Sequence, residues 1–391
     1  MPVFRSWGAA SRRGPAFTAL LAALAALLFS SGVAAKQLRY ATGSAPNSLG
    51  GLAAEKFAES LEDYSGGDLT AKVYMMSLLS FAEMSGGVEK GMTDIGSMIY
   101  PYFPSEYPRT NLVAELTMLT DLMGAPKSLS NLAYAGAVSE FVFEHCPKCV
   151  AEWEAHDHVF SGGSAASPYY FLCNKPVDTL KDLSDKRVRV GGAQWARAAE
   201  ALNATPVTMS VNEIYEGLSQ GAVDCTMQAA AELISFNLME VTTDITLGAP
   251  LGIYGGLSLS TNRKVWRDLD EKQRKAVLHA AADSNANVTW GYRIDDERAL
   301  KQAKEKGIAM HEADDAMVTT AEQFIEKDME TIAANYQTKY GVDDAAEMIA
   351  TFRPLLEKWM TLVKDVDSSE ALADLYWKEI YSKVDVSKYG L

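Results

Sequence analysis

The chain has 391 residues, of which 48% are hydrophobic and 22% charged, a balance that excludes disordered, collagen-like and coiled-coil proteins. Length alone suggests roughly two to three domains. Its 36 basic and 51 acidic residues leave a net charge of −15, so nucleic acid and anionic membrane surfaces are poor partners, and any bound anion must meet a local basic group.

Residues 1–35 read as an export signal. Arg5, Arg12 and Arg13 give a positive start, an apolar run covers residues 16–29, and small residues lead to a cut near Ala35. That run is too short to span a membrane and suits the middle of a secretory signal. Export predicts a periplasmic protein in which disulfides are permitted. Residues 37–42 then read as a strand, 52–64 as a helix stopped by Ser65-Gly66-Gly67, and 69–75 as a second strand. A strand, a helix and a strand in succession predict a parallel pair.

An internal echo follows. The segment from Gly87 through Gly91-Met92-Thr93-Asp94-Ile95 to Met98 resembles the segment from Gly217 through Gly221-Ala222-Val223-Asp224-Cys225 to Met227. Each reads as a helix end, a glycine, and an aspartate opening an apolar strand. Two similar α/β lobes would produce this, and so would two unrelated helix-to-strand turns. Met98, Tyr100 and Tyr102 follow the first echo strand and are candidates to line a cleft.

Four cysteines are present: Cys146, Cys149, Cys173 and Cys225. Their pairing is open, since four cysteines allow three pairings. The export context favours structural disulfides. Cys146-Pro147-Lys148-Cys149, with His145, His156 and His158 nearby, also admits a zinc site or a redox motif. The zinc spacing is loose, and no strand runs into the C-x-x-C.

From His158 onward the pattern is again α/β. Strand candidates cover residues 158–164, 169–173, 187–190, 206–209 and 222–227, with helices over 193–202 and 211–220. From Asp268, a candidate N-cap, the chain turns helical: 269–306, 316–340, 344–366 and 368–384. The organisation expected is a signal over 1–35, a first lobe over 36–160 plus about 255–294, and a second lobe over 161–254 plus about 295–391, which takes the C-terminal helices.

The sequence carries no H-E-x-x-H, G-x-S-x-G, P-loop or dinucleotide fingerprint, and no cofactor is expected. Its most suggestive constellation is Lys186-Arg187-Val188-Arg189-Val190. Arg187 and Arg189 share a strand face, and Arg189 lies at the carboxyl end of that strand, where open α/β sheets bind ligands. A guanidinium there can grip a carboxylate through two parallel hydrogen bonds.

Several segments together resemble the extracytoplasmic solute receptors of tripartite ATP-independent periplasmic (TRAP) transporters. They are Ser65-Gly66-Gly67-Asp68-Leu69, Val88-Glu89-Lys90-Gly91-Met92-Thr93-Asp94-Ile95, Asn174-Lys175-Pro176-Val177, Thr179-Leu180-Lys181-Asp182-Leu183, Lys186 to Val190, Leu202 to Met209 and Glu213 to Asp224. The resemblance covers most of the mature chain. It implies an α/β, two-lobed periplasmic binding protein fold, each lobe a mixed, mostly parallel sheet flanked by helices, with a long connecting helix, to which the helical pattern past Asp268 adds extra C-terminal helices. It implies a receptor, not an enzyme, that delivers a small organic anion to TRAP membrane subunits, with Arg189 as the carboxylate-gripping residue.

The sequence departs from the family at three places. Gln228 stands where an asparagine is usual, Phe160 to Ser164 lacks an arginine that some members carry, and the C-terminal helical region is long. Trp195, just past Gly191-Gly192, is a candidate floor for the cleft. Tyr254 and Glu232 are further candidates, the latter as a partner for a cationic group. An exported enzyme acting on a small carboxylate is the alternative of a different class, and a receptor feeding a sensor kinase is a third.

Overall fold

The computed structural model describes residues 1–3, 35–123 and 126–391. The expected export signal lies outside the described residues save for its two ends. Among the described residues no helix is long and apolar enough to cross a membrane.

Two mixed sheets organise the chain. The first has the order β2-β1-β3-β10-β4, built from β1 (Lys36–Thr42), β2 (Leu69–Met75), β3 (Ile95–Ile99), β4 (His158–Ser164) and β10 (Leu257–Asn262). The second has the order β11-β9-β5-β8-β6-β7, built from β5 (Tyr169–Cys173), β6 (Arg187–Val190), β7 (Thr205–Thr208), β8 (Cys225–Ala229), β9 (Asp244–Leu247) and β11 (Ala309–Glu312). In each sheet a parallel trio, β2-β1-β3 or β7-β6-β8, meets one strand that runs against it, β10 or β5. A parallel pair needs a crossover, and α1 (Leu49–Ser65) supplies it between β1 and β2 as the sequence pattern predicts. The N-cap is Ser48, whose hydroxyl accepts the Gly51 N–H.

The sequence echo is a structural one. Serine-led capping boxes, Ser80 with Glu83 and Ser210 with Glu213, open the two short helical segments that end in α2 (Met84–Glu89) and, in the second lobe, Ile214–Ser219. Gly91 and Gly221 then turn the chain with φ of 67° and 68°, a left-handed conformation that glycine adopts without a Cβ clash. Asp94 takes the fork of Arg39 from β1 at 3.1 and 2.6 Å. Asp224 takes the fork of Arg187 from β6 at 3.1 and 3.1 Å. The same turn therefore ties the same pair of strands in both lobes.

The remaining long helices are α3 (Pro108–Glu115), α4 (Lys127–Glu140), α5 (Ala193–Ala201), α6 (Glu271–Glu305), α7 (Asp315–Tyr340), α8 (Ala345–Leu362) and α9 (Ser369–Glu379). Helix α6 is the spine. Its residues Ala276 to Ala286 pack into the first core, and Val288, Tyr292, Ala299 and Ala303 into the second. Its N-cap is Asp270 rather than the expected Asp268, because the Asp270 carboxylate accepts the Gln273 N–H while Gln273 answers to the Asp270 N–H. The region between Tyr102 and His158, for which no elements were expected, is largely helical and buried.

Two expected boundaries shift. Strand β4 runs across residue 160 and pairs along its length with β10 of the first sheet, so its pleat commits it to the first lobe. The C-terminal helices expected with the second lobe pack on the first: Trp359 of α8 donates its indole N–H to Glu140 of α4 at 2.6 Å, and the Tyr376 hydroxyl of α9 donates to the Leu132 carbonyl at 2.7 Å. Only the first half of α7, through Met317, Ala321 and Ile325, joins the second core.

The cysteines form two disulfides, Cys146–Cys149 and Cys173–Cys225. The first caps a short helix, Pro147–Ala155, which removes its sulfurs from the zinc alternative. The second links directly opposed residues of β5 and β8.

Candidate functional site

Arg189 occupies the carboxyl half of β6, opposite Thr226 of β8 and Val207 of β7. Its side chain turns inward and the residue is 1% exposed. Nε and Nη2 donate to the Met209 carbonyl at 3.1 and 3.0 Å, and Nη2 also donates to the Tyr102 hydroxyl at 3.1 Å. Nη1 donates to no described residue. The guanidinium lies flat over Gly191, where a Cβ would come within 3.1 Å of Nη2. Backbone, glycine and tyrosine thus hold a fixed charge with one edge unspent.

Arg189 lines a partly open cavity of about 80 Å³ between the two sheets, together with Met98, Tyr102, Gln228, Glu232 and Tyr254. One water needs about 10–15 Å³ by the same measure, so the space suits a small molecule rather than an oligomer. Tyr102 belongs to the first lobe, yet its hydroxyl accepts hydrogen bonds from Arg189 and, at 2.8 Å, from the Val211 N–H of the second. The lobes therefore meet at the cavity itself.

Two sequence candidates lie outside the lining. Trp195 is fully buried behind it, donating its indole N–H to the Leu251 carbonyl at 2.8 Å. It stacks on Tyr254, ring centroids 5.1 Å apart, and supports that ring rather than flooring the cavity. Tyr100 turns away and donates to the Gly255 carbonyl at 2.7 Å. Strand β3 ends at Ile99, and the turn Tyr100–Tyr102, with Pro101 inside it, breaks the alternation that would have kept Tyr100 beside Met98. Sequence reasoning missed Phe81, Tyr169, Ser258 and Tyr292, which also line the cavity. Tyr169 opens β5 and Tyr292 sits midway along α6, where no local signal marks either.

Glu232 is the lining's carboxyl group. Burial pushes it up to about 7, against the opposing pull of the Tyr292 hydrogen bond and the Arg189 charge. The Tyr292 hydroxyl donates to Oε1, whereas Oε2 has no partner among the described residues. Burial also raises the Tyr169, Tyr254 and Tyr292 hydroxyls well above their ordinary value, so all three stay neutral. Among the described residues lining the cavity, Glu232 is the only carboxyl group.

Residues 40–335 match bacterial extracellular solute-binding protein family 7, also called DctP. The chain belongs to this family. Its members are solute-binding proteins, not enzymes, and the sequence resemblance pointed to the same group. The family 7 chain is 24% identical over 298 residues to the 2,3-diketo-L-gulonate-binding periplasmic protein YiaO of Escherichia coli, covering 76% of this chain and 87% of that one. It is 23% identical over 281 residues to the C4-dicarboxylate-binding periplasmic protein DctP of Rhodobacter capsulatus, covering 67% and 76%. A TRAP solute-binding protein specific for aromatic acid ligands, from an unidentified marine microbe, superposes with a TM-score of 0.70 at 18% identity, over 83% of this chain and 99% of that one. DctP7, a pyroglutamic acid-binding extracytoplasmic receptor of Bordetella pertussis, gives 0.66 at 19% identity, over 82% and 100%. The two-lobed α/β fold of the family 7 receptors is thereby the fold of this chain.

Proposed function

We propose that this protein is the periplasmic receptor of a TRAP transporter, that it closes over a small organic acid, and that Arg189 holds the ligand's carboxylate. The observation that carries this reading is the buried guanidinium near the end of β6, which lines the cavity between the lobes and has Nη1 unspent. A carboxylate answers it in charge and in geometry. The acids bound by the relatives support the same class. Gln228, on β8 beside β6, stands to support the carboxylate with its amide, and Met98 and Tyr254 to pack against the ligand's body. Delivery to membrane subunits follows from the family's place in a transporter.

The test is titration of small carboxylates into the purified mature chain and its Arg189→Ala variant. A charge-assisted hydrogen bond contributes about 1.5–3 kcal/mol, so the variant should bind roughly 10- to 150-fold more weakly while its circular dichroism is unchanged. Arg189→Lys, which keeps the charge and loses the fork, should fall between the two. Equal affinity in the wild-type and Arg189→Ala proteins would sink the carboxylate grip.

A further inference from the structure

We propose that the ligand is a monocarboxylate carrying a hydrogen-bond donor, N–H or O–H, at the end remote from its carboxylate, and that Glu232 receives that donor. The inference rests on the receptor reading above and narrows it.

Charge comes first. Among the described residues lining the cavity, Arg189 is the sole cation and Glu232 the sole carboxyl group. No ion pair joins them: Arg189 donates to Met209 and Tyr102 and Glu232 accepts from Tyr292, while Nη1 and Oε2 each stay without a partner among the described residues. The cavity thus presents one cationic and one acidic group to whatever occupies it. A dicarboxylate would satisfy the first and bring a second negative charge to the second, with no lysine, arginine or histidine in the lining to receive it. Like charges in a water-poor cavity repel, so a second carboxylate would be admitted only beside a protonated Glu232, at the cost of taking up that proton.

Unspent acceptors come second. Glu232 Oε2, Gln228 Oε1 and Ser258 Oγ are buried in the lining and have no hydrogen-bond partner among the described residues. A buried acceptor left without a donor costs about 1–3 kcal/mol. The serine hydroxyl and the glutamine amide can each serve either way; Glu232, raised to about 7 by burial, is the group that a ligand donor would hold in its ionised, accepting form. Its environment is built: Tyr292, from the long helix, donates to one oxygen and leaves the other buried and without a partner among the described residues. The lining also holds Phe81, Tyr102, Tyr169 and Tyr254, aromatic rings that suit an apolar or ring-shaped ligand body.

The experiment is calorimetric titration of two matched series into the mature chain. The ring series is 3-hydroxybenzoate, benzoate and isophthalate; the chain series is 4-aminobutyrate with 4-hydroxybutyrate, butyrate and succinate. Within a series that binds, the donor-bearing acid should bind at least about ten-fold tighter than both the donorless acid and the diacid. In Glu232→Gln, whose amide brings a donor of its own, that preference should shrink several-fold and the diacid should gain. Donorless or dibasic acids binding as tightly as the donor-bearing ones, or an unchanged preference in Glu232→Gln, would overturn the inference and leave the carboxylate grip standing. Failure of every acid in both series to bind would overturn the carboxylate reading, and this inference with it.

Discussion

Asp224, at the entry to β8, owes its state to two neighbours. Burial pushes its carboxyl up, but hydrogen bonds from Arg187 and Lys175 outweigh that and hold the group well below the usual carboxylate range. A carboxyl lowered by folding contributes stability that is present above its unfolded value, about 3.9, and is lost as pH falls toward the folded one. Asp224→Asn should therefore cost about 1–3 kcal/mol at pH 7, and the gap to wild type should narrow below about pH 4. Urea unfolding at pH 7, 5 and 3 measures this, and a gap that does not change with pH would refute it. Asp94 and Asp224 were legible because glycine, aspartate and apolar strand lie within a few residues of one another. The direction of a side chain was not. Tyr100 and Tyr102 are two apart, yet one bonds Gly255 and the other reaches Arg189. The partner of Glu232 lies 60 residues away on another element, so sequence could name Glu232 but not how it is held.

Element pairing was legible where it is local and obscure where it is not. The unit β1-α1-β2 followed from its periodicities, and so did the second lobe's trio. Strand β4 looked like the start of a new lobe, since only β10, about a hundred residues later, reveals which sheet it joins. The C-terminal helices were likewise found but misplaced. Their amphipathic faces declare burial without declaring a partner. Two disulfides divide the same way. Cys146–Cys149 closes a loop of sequence separation 3, whereas Cys173–Cys225 spans 52 and staples β5 to β8, two central strands of the second sheet. Chain-entropy arguments give about 2 kcal/mol for the short loop and about 4 for the long one. Replacing Cys173 and Cys225 together by alanine should accordingly lower the denaturation midpoint more than replacing Cys146 and Cys149. Equal shifts in chemical unfolding would show that loop length is not what governs their contribution.

The whole molecule is closed, and the contacts that close it lie on both sides of the cavity wall. Asn212 of the second lobe donates its amide to the Gly43 carbonyl of the first at 2.9 Å and accepts the Phe81 N–H at 3.4 Å. Arg197 of α5 bridges Glu115 of α3 and Asp328 of α7, each at 2.7 Å. Tyr102 joins Arg189 and Val211 across the same divide. A ligand favours the closed arrangement because only there do both lobes touch it, and the measured affinity is the intrinsic one scaled by the closed population. Asn212 does not line the cavity. Its loss should nonetheless weaken ligand binding, by the worth of one or two hydrogen bonds that exist only when the lobes meet. At about 0.5–1.5 kcal/mol that is a factor of roughly 2–10 for Asn212→Ala, while each lobe keeps its own core and the stability of the unliganded protein falls by no more than that amount. Small-angle scattering should find the unliganded variant more extended than the wild type. Unaltered affinity together with unaltered scattering would mean that Tyr102 and the Arg197 bridge hold the lobes without this clasp, so closure would rest on the charged network and on the cavity's own wall.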